Sequence, residues 1–289
     1  MDQAEGLRAK NRSRPVQVLA VTSGKGGVGK TSTSVNLALS LCQLGRNVML
    51  LDADLGLANA DVMLGLQPRY NLGHLLAGKC SLADTLVEGP HGLKLVPASS
   101  GQRGMSDLTP VQQAGLIRAF SELDMPLDSL IVDCPAGTAS TVMTFAQAAQ
   151  EVIVVVCDEP ASMTDAYALI KLLALEHGVQ RFKILCNQTR SAAEGRDLFG
   201  RLTRVTDRFL DVALAYLGQV PHDEWLRRAV QQQRSVLTAY PGSPSATAYR
   251  KLAEQVDRWA VPRGPRGNLE FFVERMVQPG YGAALGAVA

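Results

Sequence analysis

Cysteine is scarce in this 289-residue chain, and its placement excludes the usual cysteine frameworks. The five cysteines (Cys42, Cys80, Cys134, Cys157 and Cys186) include no CxxC pair, which argues against a zinc or dithiol motif. Three of them sit in or beside apolar runs, so core thiols in a reducing cytosol are expected rather than disulfides. His74, His91, His177 and His222 show no metal-ligand spacing. A surplus of charge is missing too: the formal net charge is only +2, which argues against a chain that coats nucleic acid. Long apolar runs are absent, and 152–157, among the longest, is far short of a bilayer span. The first residues are polar and charged rather than an apolar leader, so a soluble cytoplasmic protein is expected. No internal repeat is visible.

Against those absences stands one dense stretch. Ser23-Gly24-Lys25-Gly26-Gly27-Val28-Gly29-Lys30-Thr31 follows the apolar run 16–22 and opens a helix-patterned segment, 32–45. Strand, glycine loop ending in Lys-Thr, then helix is the setting of a phosphate-binding loop. Glycines let successive backbone N–H groups turn toward a phosphate, and the helix N-terminus adds partial positive charge. Lys30 is expected to reach the β- and γ-phosphates, and the Thr31 hydroxyl to ligate Mg²⁺. The expected cradle runs through Ser32. A plain glycine turn would need neither Lys-Thr at its end nor this strand and helix around it.

The rest of the chain alternates apolar and amphipathic segments. Strands are expected at 47–52, 93–97, 127–133, 151–157, 181–187 and 213–220, with 134–137 an exit loop. Helices are expected at 109–123, 162–177, from 223 onward and at 244–259. That alternation predicts an α/β fold with a doubly wound, mostly parallel sheet and helices on both faces. Residues 15–260 form the expected domain, after a polar lead-in at 1–14 and before a Pro/Gly/Arg linker at 261–267. A short amphipathic helix at 268–278 and a tail at 279–289 follow. In such a sheet the crevice lies at the carboxyl ends of the strands. Lys30-Thr31, Asp52, Asp54 and Asp133 all fall there, and Asp133 occupies a Walker B position after 130–132. Such acids can hold Mg²⁺ directly or through water and can orient an attacking water.

A second lysine, Lys25, comes earlier in the loop than a simple P-loop needs. The glycine-lysine-glycine-glycine pattern, with Asp52-Ala53-Asp54 and Asp133-Cys134-Pro135-Ala136-Gly137, resembles the deviant Walker A ATPases of the MinD/ParA group. The resemblance implies ATP and Mg²⁺ as cofactors, a homodimer formed on ATP binding, and slow hydrolysis. It implies that Lys25 reaches the phosphates held by the other subunit, that Asp54 positions water, and that Asp133 belongs to a second switch. It implies that Asn187, at the end of 184–187, reads the adenine edge, flanked by Val220-Pro221-His222-Asp223. On the residues alone, Asn187 reads also as the cap of the next helix. Thr138-Ala139-Ser140 departs from the pattern common in the group, where isoleucine and then a polar or acidic residue often stand. That departure leaves the motion of the second switch and the hydrolysis rate open.

Within the group, 51–59, 157–160, 164–171 and 205–210 resemble the FlhG/FleN flagellar-number regulators. Asp2-Gln3-Ala4-Glu5-Gly6-Leu7-Arg8 looks like the short motif by which such proteins engage an FlhF-type GTPase, with Asp2, Gln3, Ala4, Leu7 and Arg8 as the implied contacts. The resemblance implies negative control of flagellar number and placement, through a sigma-54-dependent flagellar transcription activator and that GTPase. In 268–278, Leu269, Phe272, Val273, Met276 and Val277 recur at helical spacing. The resemblance implies a membrane-targeting helix at the inner face of the cell membrane or the cell pole. Glu270 and Glu274 fit equally a helix docked on its own domain or on a protein. Arg201, Arg204 and Arg208 share one helical face, but Asp197 and Asp207 dilute it, so direct DNA binding is not expected. Two alternatives stand beside this reading: a ParA-like DNA-partition or cargo-positioning ATPase, and a MinD-like membrane-associated division-site ATPase.

Overall fold

The computed structural model describes residues 15–54, 59–98, 109–121, 123, 125–261 and 271. β1 (Gln17–Ser23) runs through the glycine loop into α1 (Lys30–Gln43), then β2 (Val48–Asp52) and α2 (Ala60–Leu64). Two short helices, α3 (Leu72–Leu76) and α4 (Leu82–Thr85), precede β3 (Val87–Glu88) and β4 (Lys94–Val96). The chain continues through α5 (Pro110–Ser121), β5 (Ser129–Ala136), α6 (Ser140–Ala148), β6 (Glu151–Val156) and α7 (Pro160–His177). It closes with β7 (Arg181–Thr189), α8 (Ala192–Phe209), β8 (Ala213–Pro221), α9 (Glu224–Gln231), α10 (Val236–Ala239) and α11 (Pro244–Asp257).

Local chemistry explains where these helices begin and end. Ser191, Asp223 and Ser243 accept hydrogen bonds from first-turn N–H groups of α8, α9 and α11, satisfying donors that a helix leaves unpaired. Pro160 opens α7, and Gly178 ends it in the left-handed conformation with φ 68°, the two ends that proline and glycine favour.

The strands form one sheet in the order β3-β4-β2-β5-β1-β6-β7-β8. Every pairing is parallel except β3 with β4. β1 lies between β5 and β6, so the chain leaves it and returns as β2 one strand further out. That reversal opens the crevice at the strands' carboxyl ends. One expectation is corrected here, and one strand was not foreseen. β5 extends through Ala136, because Ala136 pairs with Ser23 of β1 where an exit loop was expected. The two-residue antiparallel β3 was not anticipated at all: it exists only through its pairing to β4, which leaves no sequence period to read.

Alternation along the central strands fills both faces. Val18 and Ala20 point into one core with Leu130, Val132, Val152 and Val154. Leu19 and Val21 point into the other with Ile131, Ile153 and Val155. Both faces are covered by helices, which is why these strands read as continuous apolar runs. The first core also takes in a residue of the tail. Phe271 is fully buried, edge-on to Phe120 at 5.5 Å and stacked on Phe145 at 6.2 Å. It is not one of the residues expected to face a membrane or the domain, and those five (Leu269, Phe272, Val273, Met276 and Val277) lie outside the described residues.

Phe271→Ala should therefore lower the unfolding free energy by about 3–5 kcal/mol, read as a lower urea midpoint. An unchanged midpoint would contradict the burial of this ring.

Candidate nucleotide site

The site starts from the loop after β1. Gly29 adopts the left-handed conformation at the start of α1, with φ 91°, and Gly27 has φ 80°. Their neighbours leave little room on one side of the loop. A Cβ on Gly24 would stand 2.1 Å from the backbone carbon of Asp165, and one on Gly29 would stand 2.3 Å from Asn187 Nδ2. A Cβ on Gly26 or Gly27 would meet nothing within 4 Å. The loop is thus backed by α7 and Asn187 and open at its middle, a shape that suits a phosphate cradle.

Asn187 is buried at the end of β7, and its Nδ2 donates to the Val28 carbonyl at 2.7 Å. Its Oδ1 is buried without a partner among the described residues. Gln188, with φ 58°, sends its Nε2 toward the Gly27 carbonyl at 3.4 Å. Asn187 therefore braces the loop, and it does not cap the following helix; Ser191 does.

Two carboxylates meet at the crevice floor. Asp52 and Asp133 are partners in register on β2 and β5, each 1% exposed. Asp133 accepts from the Ser34 hydroxyl at 2.9 Å and also from Thr31, with Lys30 nearby. Asp52 accepts from the backbone N–H groups of Asp54, Asn59 and Ala60 at 3.0–3.1 Å. Burial pushes both carboxyls well above the ordinary carboxylate range, and the Asp133 charge adds to the rise at Asp52. Asp54 stands at the mouth, half-buried, on the loop that Asp52 organises. Asp52 and Ser34 are thus positioning residues, the first already among the strand-end acids read from the sequence and the second not singled out there. The signal for Asp52 was its place at a strand end; nothing marked Ser34.

The two lysines of the loop have separate fates. Lys30 is buried at the start of α1, close enough to Asp133 to favour its charged form. Lys25 lies outside, its Nζ bonded to Glu159 Oε2 at 2.7 Å, with side chains 40% and 55% exposed. Glu159 immediately precedes α7. The Gly137 N–H, in the exit turn of β5, donates to the Ser23 carbonyl at 2.9 Å, tying that turn to the root of the glycine loop.

The base-flanking segment is built for structure as well. Pro221 ends β8 opposite Thr189. Burial opposes charge on Asp223, but hydrogen bonds from Ser245, Trp225 and Ser243 outweigh it and hold its carboxyl below the usual range. Its two oxygens tie the starts of α9 and α11 together. Asp2, Gln3, Ala4, Leu7 and Arg8 lie outside the described residues.

Comparisons place this arrangement among known proteins. A family model described as ParA: NUBPL iron-transfer P-loop NTPase matches residues 15–257. The chain is 58% identical over 280 residues to the antiactivator FleN of Pseudomonas aeruginosa, covering 96% of this chain and 100% of that protein. It is 34% identical over 265 residues to the flagellum site-determining protein YlxH of Helicobacter pylori, covering 90% and 89%. Among solved structures, the septum site-determining protein MinD complexed with Mg-ADP, from Pyrococcus horikoshii, matches with TM-score 0.69 and 25% identity over 84% of this chain and 96% of that one.

The carboxylate pair sets a pH dependence. Asp52 and Asp133 bind protons more tightly folded than unfolded, where an aspartate titrates near about 3.9. Without nucleotide, stability should therefore fall as pH rises from about 4 toward neutrality. Asp133→Asn should flatten that fall in thermal scans across the range; an equally steep fall would place the titration elsewhere.

Proposed function

The chain belongs to the ParA/MinD family of P-loop NTPases and is an ATPase, and from that premise we propose that it is an ATP-gated dimerisation switch that holds flagellar number down. The observation that carries the proposal is Lys25. One buried lysine, Lys30, suffices to meet bound phosphates, yet a second stands at the mouth in an exposed ion pair with Glu159. An exposed pair of this kind contributes little and is readily exchanged. In the switch, Lys25 leaves Glu159 for the phosphates held by a second copy of the chain. A cation arriving there neutralises charge that develops on the transferred phosphoryl group. Dimerisation and hydrolysis are then coupled through one side chain.

In this reading the N–H groups of the 24–32 loop and Lys30 hold ATP, while Thr31, Asp54 and Asp133 hold Mg²⁺. The bound ion supplies charge neutralisation between the phosphates. Asp54 orients the attacking water. Asn187 faces the adenine edge, a role supported by its partnerless buried Oδ1, with Pro221 and Asp223 shaping the segment beside the base. Turnover is slow, and the lifetime of the dimer is the output.

Relatives named for antiactivation and for flagellum site determination support flagellar control as the purpose. The dimer engages a sigma-54-dependent flagellar transcription activator, and residues 1–14 engage an FlhF-type GTPase. A DNA-partition reading is weaker, because Arg201 on α8 is tied to Asp158 and, at 3.1 Å, to Asp197. Among the described residues no helix is long and apolar enough to cross a membrane.

Three variants test the switch. Lys30→Ala should lose ATP binding measured by a fluorescent analogue. Lys25→Ala should bind ATP yet lose turnover, and Asp54→Ala should bind ATP with hydrolysis slowed more than about tenfold. Normal phosphate release by Asp54→Ala would overturn its assignment. For the partner, a peptide of residues 1–14 should stimulate GTP turnover by an FlhF-type GTPase, and Gln3→Ala should abolish the effect. No stimulation by the unaltered peptide would remove that GTPase from the account.

A further inference from the structure

The sheet has two edges, and the chain treats them differently. β3, at one edge, is two residues long and carries Glu88, which is ion-paired to Lys94 at 2.8 Å. Brevity and charge are the ordinary means of blunting an edge against unwanted pairing. β8, at the other edge, runs for nine residues without one charged side chain. Among the described residues it pairs with β7 alone. Its interruptions are register shifts before Gly218 and before Pro221, and the proline itself at its end. The unused N–H and C=O groups of such a strand form a template for another strand.

A groove of about 410 Å³ lies along this edge, walled by α8 and α11. Small residues make the room: Ala192 stands on the α8 wall and Ala248 on the α11 wall. Gly218, with φ 146°, lets α11 close in, since a Cβ there would stand 2.9 Å from Leu252 Cδ2. Each wall carries one exposed cation, Arg196 on α8 and Lys251 on α11, and no carboxylate lines the groove. Among the described residues neither cation is ion-paired. The charge of the site is therefore positive on both sides of an unpaired backbone.

We propose that the open edge of β8 takes an extended acidic segment of a partner protein as a ninth strand. Its backbone bonds to β8, as in other strand additions. Successive side chains of a strand point to opposite faces, so two adjacent acidic residues meet Arg196 on one wall and Lys251 on the other. The recognised chemistry is thus a β-forming segment with acids at neighbouring positions. This site shares only Pro221, at the end of β8, with the residues assigned to the nucleotide, and neither of its cations is among them, so its failure would leave the ATPase reading intact.

The test uses the full chain and a synthetic peptide of about ten residues, the upper end of ordinary strand lengths, made of valine and threonine around two adjacent glutamates. A lysine counterpart and a version N-methylated on alternate amides serve as controls. The acidic peptide should bind at least about tenfold more tightly than the lysine one, a difference of about 1.4 kcal/mol. It should slow amide exchange in 213–221, and N-methylation should abolish binding. Arg196→Glu combined with Lys251→Glu should invert the preference, and retained ATP binding shows that this variant is folded. Equal affinity for both peptides, or protection away from β8, would overturn the proposal. So would protection of β8 that rises with protein concentration alone, which would assign the edge to a second copy of the chain.

Discussion

Two aspartates buried side by side set the terms for the rest of this structure. Asp52 and Asp133 lie in register at adjacent strand ends, both out of water. Placing two carboxyls there is costly unless donors or cations meet them. The chain answers with what surrounds them: Ser34, Thr31 and Lys30 from the first turn of α1 at Asp133, and three backbone N–H groups at Asp52. The helix after the glycine loop and the loop after β2 are thus both oriented by this pair. A site that leaves its own carboxyls short of positive charge is one in which a divalent cation and a phosphate are matched ligands.

The glycine loop converts that local demand into a conformational one. It is fixed from behind by α7 at Gly24 and by Asn187 at Gly29, where no side chain would fit. The loop's outer face is left to Lys25, whose partner Glu159 belongs to the segment that opens α7. The element that backs the phosphate cradle therefore also holds the lysine that a dimer would recruit. Gly137, bonded to the Ser23 carbonyl, brings the exit of β5 into the same unit. The glycine loop, the start of α7 and the exit turn of β5 are thus joined by hydrogen bonds, and the proposed dimer would place its nucleotide and second copy against them.

Much of this was legible in the sequence. The glycine loop, the acids at the strand ends and the alternation of strands and helices carry their physics in spacing, and the structure places them as that spacing implies. What was not legible depends on tertiary pairing. β3 exists only against β4, and β5 runs on to Ala136 only because β1 offers Ser23. Ser34 is an unremarkable helix serine until Asp133 is brought 2.9 Å from it. Phe271 escaped because helical periodicity picked out Phe272 beside it, and periodicity cannot tell which aromatic of a doublet finds a hole between Phe120 and Phe145. The openness of β8 was invisible for a similar reason: a strand's rank in a sheet is a property of topology.

The central claim is that ATP, rather than nucleotide in general, brings two copies of the chain together through Lys25. Light scattering on the purified chain with Mg²⁺ tests it most directly, comparing ADP with a slowly hydrolysed ATP analogue. The account predicts the mass of one chain with ADP and of two with the analogue, and of one chain under both conditions for Lys25→Ala. Equal mass with both nucleotides, or a dimer that persists without Lys25, would contradict it.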